Sequence, residues 1–245
     1  CKHWRNPLGM IQYKQTRMLY CESLRKDRSV MADDFPHELL DDAGDLSQYR
    51  GWSEGVYRDF LDIGRGKMTH EDFHDKYTHR RAILSLDMTD FTSTAMNIGE
   101  LESLLRIVDA QRVCIPVLRD FDADLVRCFA DDLVAIFKNP NSALDAAFEI
   151  HRRVDRFCHS ALASDHPTKC CIGIGYGDVF AIGPNLAQGD EMNRASKLGE
   201  DIARANETLL TERAFEALKE RSDFHFVKQD SDDQMFLFYS ATSIA

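Results

Sequence analysis

No CxxC pair occurs in this sequence, and its seven cysteines, at positions 1, 21, 114, 128, 158, 170 and 171, form an odd set. Neither a zinc site of the usual spacing nor a disulfide framework is therefore suggested, and a reducing cytoplasm is the expected setting. No apolar run approaches the ~18–20 residues that cross a bilayer, and CKHWRN at the start is not a signal peptide, so no membrane insertion is expected. A start at Cys1 without Met is read as trimming upstream, which leaves open which domains preceded it. Basic excess is missing too: 30 Lys and Arg stand against 41 Asp and Glu, a formal net charge of −11. A nucleic-acid polymer or an anionic membrane surface would be repelled by such a chain. Nucleotide binding through metal ions stays open.

With 245 residues, 44% of them hydrophobic, the chain suits one domain plus an extension. Residues 1–78 have weak periodicity, Pro7 and Pro36, and acidic clusters, and are expected to form a mostly helical extension that packs on the next domain, orders a dimer or relays a signal. Within it, FLDIGRGKMTHEDF (60–73) has the glycine and apolar frame of an EF-hand loop. Leu61, Ile63 and Arg65 fall where oxygen ligands belong, so a helix–turn–helix without an ion is expected. His70, His74 and His79 show no ligand spacing.

Residues 79–245 alternate strands and helices. AILSL (82–86) reads as a buried strand, and Leu101, Leu104, Leu105 and Val108 place one apolar stripe on a helix running toward Leu118, with Pro116 a site for a bend. LVRCF (125–129) and LVAIF (133–137) flank Ala130, Asp131 and Asp132 as a hairpin with acids at its tip. A helix with a capping box at Ser142–Asp145 should turn Leu144, Ala147, Phe148, His151 and Val154 inward. CCIGIGYG (170–177) reads as a strand whose glycines admit a close neighbour, with VFAI (179–182) returning beside it and a helix over 189–205. TLLT (208–211), a helix near 212–219, FHFV (224–227) and MFLFYS (235–240) complete an α+β sheet with packed helices.

Two acids end the first strand, Asp87 and Asp90, and Asp131 sits at the hairpin tip. If the strands are neighbours, Asp87 and Asp131 share one sheet edge, where two divalent cations about 3.5–4 Å apart stabilise a phosphoryl displacement. Acids also end strands simply because turns favour them. Helix starts beside strand ends offer free N–H groups to phosphates, and the turn Thr89–Thr92 is so placed.

The order of motifs resembles the catalytic domain of class III nucleotidyl cyclases. The signature Asp-hydrophobic-x-Gly-Phe-Thr of that family is matched by Asp87, Met88, Thr89, Asp90, Phe91 and Thr92, the strand–Asp–strand hairpin by FADDLVAIF, and the later block by GDEMNRASK (189–197). Over residues 79–240 the resemblance implies an antiparallel-rich, ferredoxin-like sheet. It implies a reaction in which the ribose 3′-hydroxyl of a nucleoside triphosphate, ATP by default, attacks its own α-phosphorus to give a 3′,5′-cyclic nucleotide and pyrophosphate. Two Mg²⁺ or Mn²⁺ ions held by Asp87, Asp131 and the Met88 carbonyl, with Phe91, Thr92 and Arg127 binding substrate, are implied by the same match. So is a homodimer in which Asn193 and Lys197, four apart on one helix face, reach the partner's site to orient the ribose and stabilise the transition state.

Departures from the pattern are specific. Asp90 replaces the signature glycine and Ala130 the glycine before the second metal aspartate, the latter tolerable if that turn needs no positive φ. Lys197 stands where arginine is common, keeping charge but losing the planar fork. Leu186, or Asn185 with one insertion, takes the place of a base-reading aspartate, and Arg127 is either a pocket residue or an edge charge. Lys228 is read as a surface residue rather than a phosphate ligand. The resemblance therefore also admits a weak or silent cyclase-like domain that binds nucleotide or metal as a regulatory module, or a pyrimidine (CTP or UTP) cyclase.

Overall fold

The computed structural model describes residues 39–49, 51–89, 99–160, 168–182, 187–229 and 236–244. Asp90, Phe91 and Thr92 lie outside them, as do Asn185, Leu186 and residues 1–38 and 50 of the proposed helical extension. The chain divides into two compact units, Cys1–Thr69 and His70–Ala245.

In the first unit, helix α1 (Ala43–Ser47) is capped by Asp42, whose carboxylate accepts from the Gly44 and Asp45 N–H groups. Helix α2 (Glu54–Gly64) is capped by Ser53 and turns Val56 inward. Trp52 packs against Tyr57 and Phe60, with ring centroids 5.4 and 5.1 Å away.

The second unit begins with α3 (His70–Tyr77), which the sequence reading assigned to the extension. Its buried Phe73 meets Phe180 edge-on at 5.6 Å. The order is then β1 (Thr78–Met88), α4 (Glu100–Asp120), β2 (Leu125–Phe129), β3 (Asp132–Phe137), α5 (Pro140–Cys158), β4 (Cys170–Ala181), β5 (Ala187–Gln188) and α6 (Asp190–Lys197). A one-turn π-helix (Leu198–Ile202), β6 (Thr208–Thr211), α7 (Glu212–Leu218), β7 (Phe224–Gln229) and β8 (Phe238–Ser243) follow. The sheet order is β2-β3-β1-β4-β6-β8-β7, with β5 on β4. Only the β4–β6 pairing is parallel among the described strands.

Alternation along β1 sorts the helices onto two faces. Ala82, Leu84 and Leu86 join the main core, with Cys114, Val117 and Leu118 of α4, Leu144, Ala147 and Ile150 of α5, and Ala214 and Leu218 of α7. Ile83 points to the other face, where it meets Ile136, Val179 and Ala195 of α6.

Several elements differ from the sequence reading. Helix α5 starts at Pro140, whose fixed φ suits the first turn, and the Asn139 side chain accepts from the Asn141 N–H at 3.0 Å; Ser142 and Asp145 fall inside the helix. VFAI does not return: β4 runs unbroken through Gly177 and Asp178 because β1 offers it eleven consecutive partners. The helix expected over 189–205 is α6 plus the π-helix. The stripe Leu101, Leu104, Leu105 and Val108 is exposed, because α4 turns Ile107, Ala110, Cys114, Val117 and Leu118 toward the core instead.

Candidate active site

The β1–β3 register brings the acids together. Its last pair is Leu86 with Leu133, so Asp87 comes level with Asp132, and Asp131 occupies the turn before it. By parity Asp87, Ser85 and Asp132 face the α6 side of the sheet, as do Leu125, Arg127 and Phe129 of β2.

The electrostatics record this crowding. Burial pushes the Asp87 carboxyl up to about 6, and Asp131, Asp132 and Glu200 add to the rise; a hydrogen bond from the Met88 N–H opposes it. Asp132 is raised by burial and then by Asp131. Glu200, in the π-helix, is raised by loss of hydration and by Asp132, with a Ser196 hydrogen bond acting the other way. Carboxylates withdrawn from water beside one another favour protonation or a cation. Among the described residues no three His, Cys, Asp or Glu side chains converge as a ready metal cage. The oxygen donors present are of the kind hard divalent cations take, one or two carboxylates with water and substrate phosphate completing the shell. The Met88 side chain is buried against Ile107 and Ala110, so only its backbone is left to contribute.

The turn holding Asp131 does need a positive φ: Ala130 sits at +50°. The condition under which alanine would be tolerated is thus not met, because its Cβ crowds the backbone in this region. Arg127 pairs opposite Val134, half-buried, with its guanidinium 5.9 Å from the Phe129 ring centroid. It therefore lines the α6 face.

Helix α6 lies directly on the β4 backbone, and the glycines make that possible. A Cβ on Gly173 would stand 2.1 Å from the Ala195 carbonyl oxygen, one on Gly175 2.7 Å from that of Glu191, and one on Gly177 2.7 Å from Glu191 Cγ. Glu191, 1% exposed, fastens the helix: its Oε2 accepts from the Tyr176 N–H at 3.2 Å and from the Thr211 hydroxyl at 2.7 Å, with Arg213 3.6 Å from Oε1. With Glu191, Ala195 and Leu198 turned to the sheet, Asn193 is exposed and Lys197 half-exposed on the outer side. Lys197 Nζ donates to Asp201 at 3.1 Å. Near the acids, Ser85 donates to Ser196 at 3.4 Å.

Asp132 is named in the sequence only as an acid of the hairpin tip, and neither it nor Glu200 nor Glu191 is assigned there to the site. The facing of Asp132 is visible only through strand parity, and Glu200 lies where the helix widens into a π-turn. Glu191 looks like a surface residue until the glycines bring it against β4.

No protein-family model matches this sequence, and no curated protein matches it either. Solved structures do. The adenylyl cyclase CyaB from P. aeruginosa superposes with a TM-score of 0.59 at 15% identity, over 69% of this chain and 97% of that one. The guanylate cyclase domain of RhGC from Catenaria anguillulae, in complex with GTP, gives 0.57 at 14%, over 68% and 97%. An adenylate/guanylate cyclase/hydrolase from Silicibacter pomeroyi gives 0.55 at 19%, over 69% and 99%. The chain has the class III cyclase fold. Nearly the whole length of each such domain is matched, so the cyclase fold is complete here, with residues beyond it in this chain. No helix among the described residues is long and apolar enough to cross a membrane.

Proposed function

We propose that this chain is a nucleotidyl cyclase that converts a nucleoside triphosphate, ATP by default, into a 3′,5′-cyclic nucleotide and pyrophosphate. The observation that carries the reading is the meeting of Asp87 with the Asp131–Asp132 tip on the α6 face, beside Glu200. In this reading Asp87, Asp131 and the Met88 carbonyl hold two Mg²⁺ or Mn²⁺ ions, which when bound offset phosphate charge and acidify the attacking hydroxyl. The charge on Asp87 and Asp131 is what the chain itself supplies at that edge. Arg127 lies on the same face as a candidate base-contacting residue, and Phe91 and Thr92 are assigned to the substrate from the motif. Asn193 orients the ribose, and Lys197 places its ammonium against charge developing at phosphorus.

Because one chain carries both the acids and the outward Asn193–Lys197 face, two copies related by a two-fold axis complete two equivalent sites. Five described cysteines are free, which supports a cytoplasmic setting. The similarity to domains named for adenylyl and for guanylyl chemistry leaves ATP, GTP and the pyrimidine triphosphates to one experiment. The protein is incubated with ATP, GTP, CTP or UTP and Mn²⁺, and cyclic product is sought by mass spectrometry. One cyclic nucleotide is expected, lost in Asp87→Ala. Binding of a triphosphate without any product would favour a second reading, a silent regulatory module. The engagement of Lys197 by Asp201 and the strained Ala130 speak for that alternative.

A further inference from the structure

Helix α4 is apolar on two sides, and the core uses one. On the other, Leu101, Leu104, Leu105, Val108 and Ile115 are 68, 58, 45, 48 and 38% exposed. At 3.6 residues per turn they form one stripe roughly 100° wide, and Leu101, Val108 and Ile115 repeat every seven residues, the seam spacing of paired helices. A single exposed leucine needs no explanation, but a heptad seam along a 21-residue helix does.

The charges around the seam identify its occupant. Glu100 and Glu102, both exposed, border it at the N-terminal end, while Arg112 and Arg119 lie on its line toward the C-terminal end, where they pair with Asp109 at 2.9 Å and Asp120 at 3.3 Å. A second α4 laid antiparallel sets Glu100 and Glu102 of each copy toward the end where the Arg152 and Arg156 side chains of α5 flank Arg112, and opposes the helix dipoles, as a two-fold axis permits. A parallel copy would set acid against acid. Val108 is midway between Leu101 and Ile115, so an axis through it joins Val108 to its own copy and Leu101 to Ile115.

We propose that α4 pairs antiparallel with α4 of a second copy of this chain. The contact lies on the sheet face opposite α6, so it is separate from the composite-site dimer proposed above and stands without it. A chain using both contacts assembles beyond a dimer. One helix covers less than the ~800 Å² per partner of a standard interface. A groove of about 420 Å³ beside it, lined by Arg112, Val113 and Pro116 with Arg152, Arg156 and Phe157 of α5, widens the footprint. The association is accordingly concentration-dependent.

Sedimentation equilibrium on the full chain, without nucleotide or metal, tests the proposal. The average mass of the wild type should rise with concentration. Leu104→Glu should weaken association at least ~tenfold with an unchanged thermal midpoint, and Asn193→Ala should leave it intact. For a test that adds no charge, Val108→Cys should form a disulfide-linked dimer under mild oxidation, mapped to its own copy. Leu101→Cys should cross-link to Ile115→Cys in a mixture but not to itself, where the antiparallel separation is about 21 Å. A wild type that stays monomeric at every concentration overturns the proposal, as does wild-type association by Leu104→Glu or failure of the Val108→Cys cross-link. Loss of association in Asn193→Ala alone would assign the contact to α6 instead.

Discussion

Replacing Gly173 with alanine puts one methyl group where the structure has no room. The new carbon would stand 2.1 Å from the Ala195 carbonyl oxygen, 2.6 Å from the Gly199 nitrogen and 2.8 Å from Leu198 Cβ. Two of the three obstacles are backbone, so no rotamer change relieves them and α6 with its π-helix must lift from β4. Overpacking of a core costs about 1–3 kcal/mol, and a backbone obstacle places Gly173→Ala at about 3 kcal/mol, the upper end. In a domain of this size each kcal/mol lowers the melting point by roughly 2–4 °C, so a fall of roughly 6–12 °C is expected. Hydrogen exchange should accelerate across residues 190–202, which carry Asn193, Lys197 and Glu200, more than in β2 and β3. Gly64→Ala is the control: nothing lies within 4 Å of the added carbon, and this helical glycine should give way to alanine with a gain of about 0.5–1 kcal/mol. Wild-type melting and exchange in Gly173→Ala would show that α6 is not seated on the strand backbone.

Other expectations are narrower. Ala130→Gly should relieve the φ of +50° and raise the unfolding free energy measured by denaturant titration by about 0.5 kcal/mol, since left-handed strain slightly exceeds the added chain entropy; a lower value would place no strain at the turn. Burial holds His151 near 4, below its ordinary 6.5, so the unfolded chain binds its proton first and stability falls as pH drops from 6.5 to 4, by up to about 3 kcal/mol. Its Nε2 lies 2.9 Å from the Thr208 hydroxyl, a contact that a neutral glutamine can retain. His151→Gln should flatten that part of the pH–stability curve, and an unchanged slope would assign the acid limb elsewhere. Asp87 acts in the opposite sense: its raised carboxyl weakens the fold above pH 6 and the penalty fades as pH falls toward its ordinary value. Asp87→Asn should therefore raise the melting point at pH 7.5 in EDTA while abolishing the further rise on adding Mn²⁺; a full Mn²⁺ response in the variant would remove Asp87 from the proposed metal site.

The hairpin and the strand bearing Asp87 were legible because a buried strand ending in acid is a local pattern, and a short turn fixes its own register. The glycines of β4 announced a close neighbour without naming it; the neighbour proved to be the helix with Asn193 and Lys197. Less was legible where the outcome depended on partners distant in the chain. Helix α4 has two apolar faces, and periodicity alone cannot say which meets a sheet. The continuation of β4 through Gly177 and Asp178 follows from the length of β1, and the strain at Ala130 from the twist of a hairpin whose two-residue turn demands positive φ. Glu200 joined the acids only through a π-turn, which has no compositional signal.

The eleven-residue ladder between β1 and β4 has a kinetic consequence. It joins segments separated in sequence by α4, β2, β3 and α5, so its loop-closure entropy is met before any pairing rewards it. The hairpin tip and the end of β1 can associate early, but α6 has nothing to rest on until β4 has docked. A growing or refolding chain should therefore hold the acidic edge in place while the helix bearing Asn193 and Lys197 is still unseated, and that helix should dock only with β4 rather than with collapse.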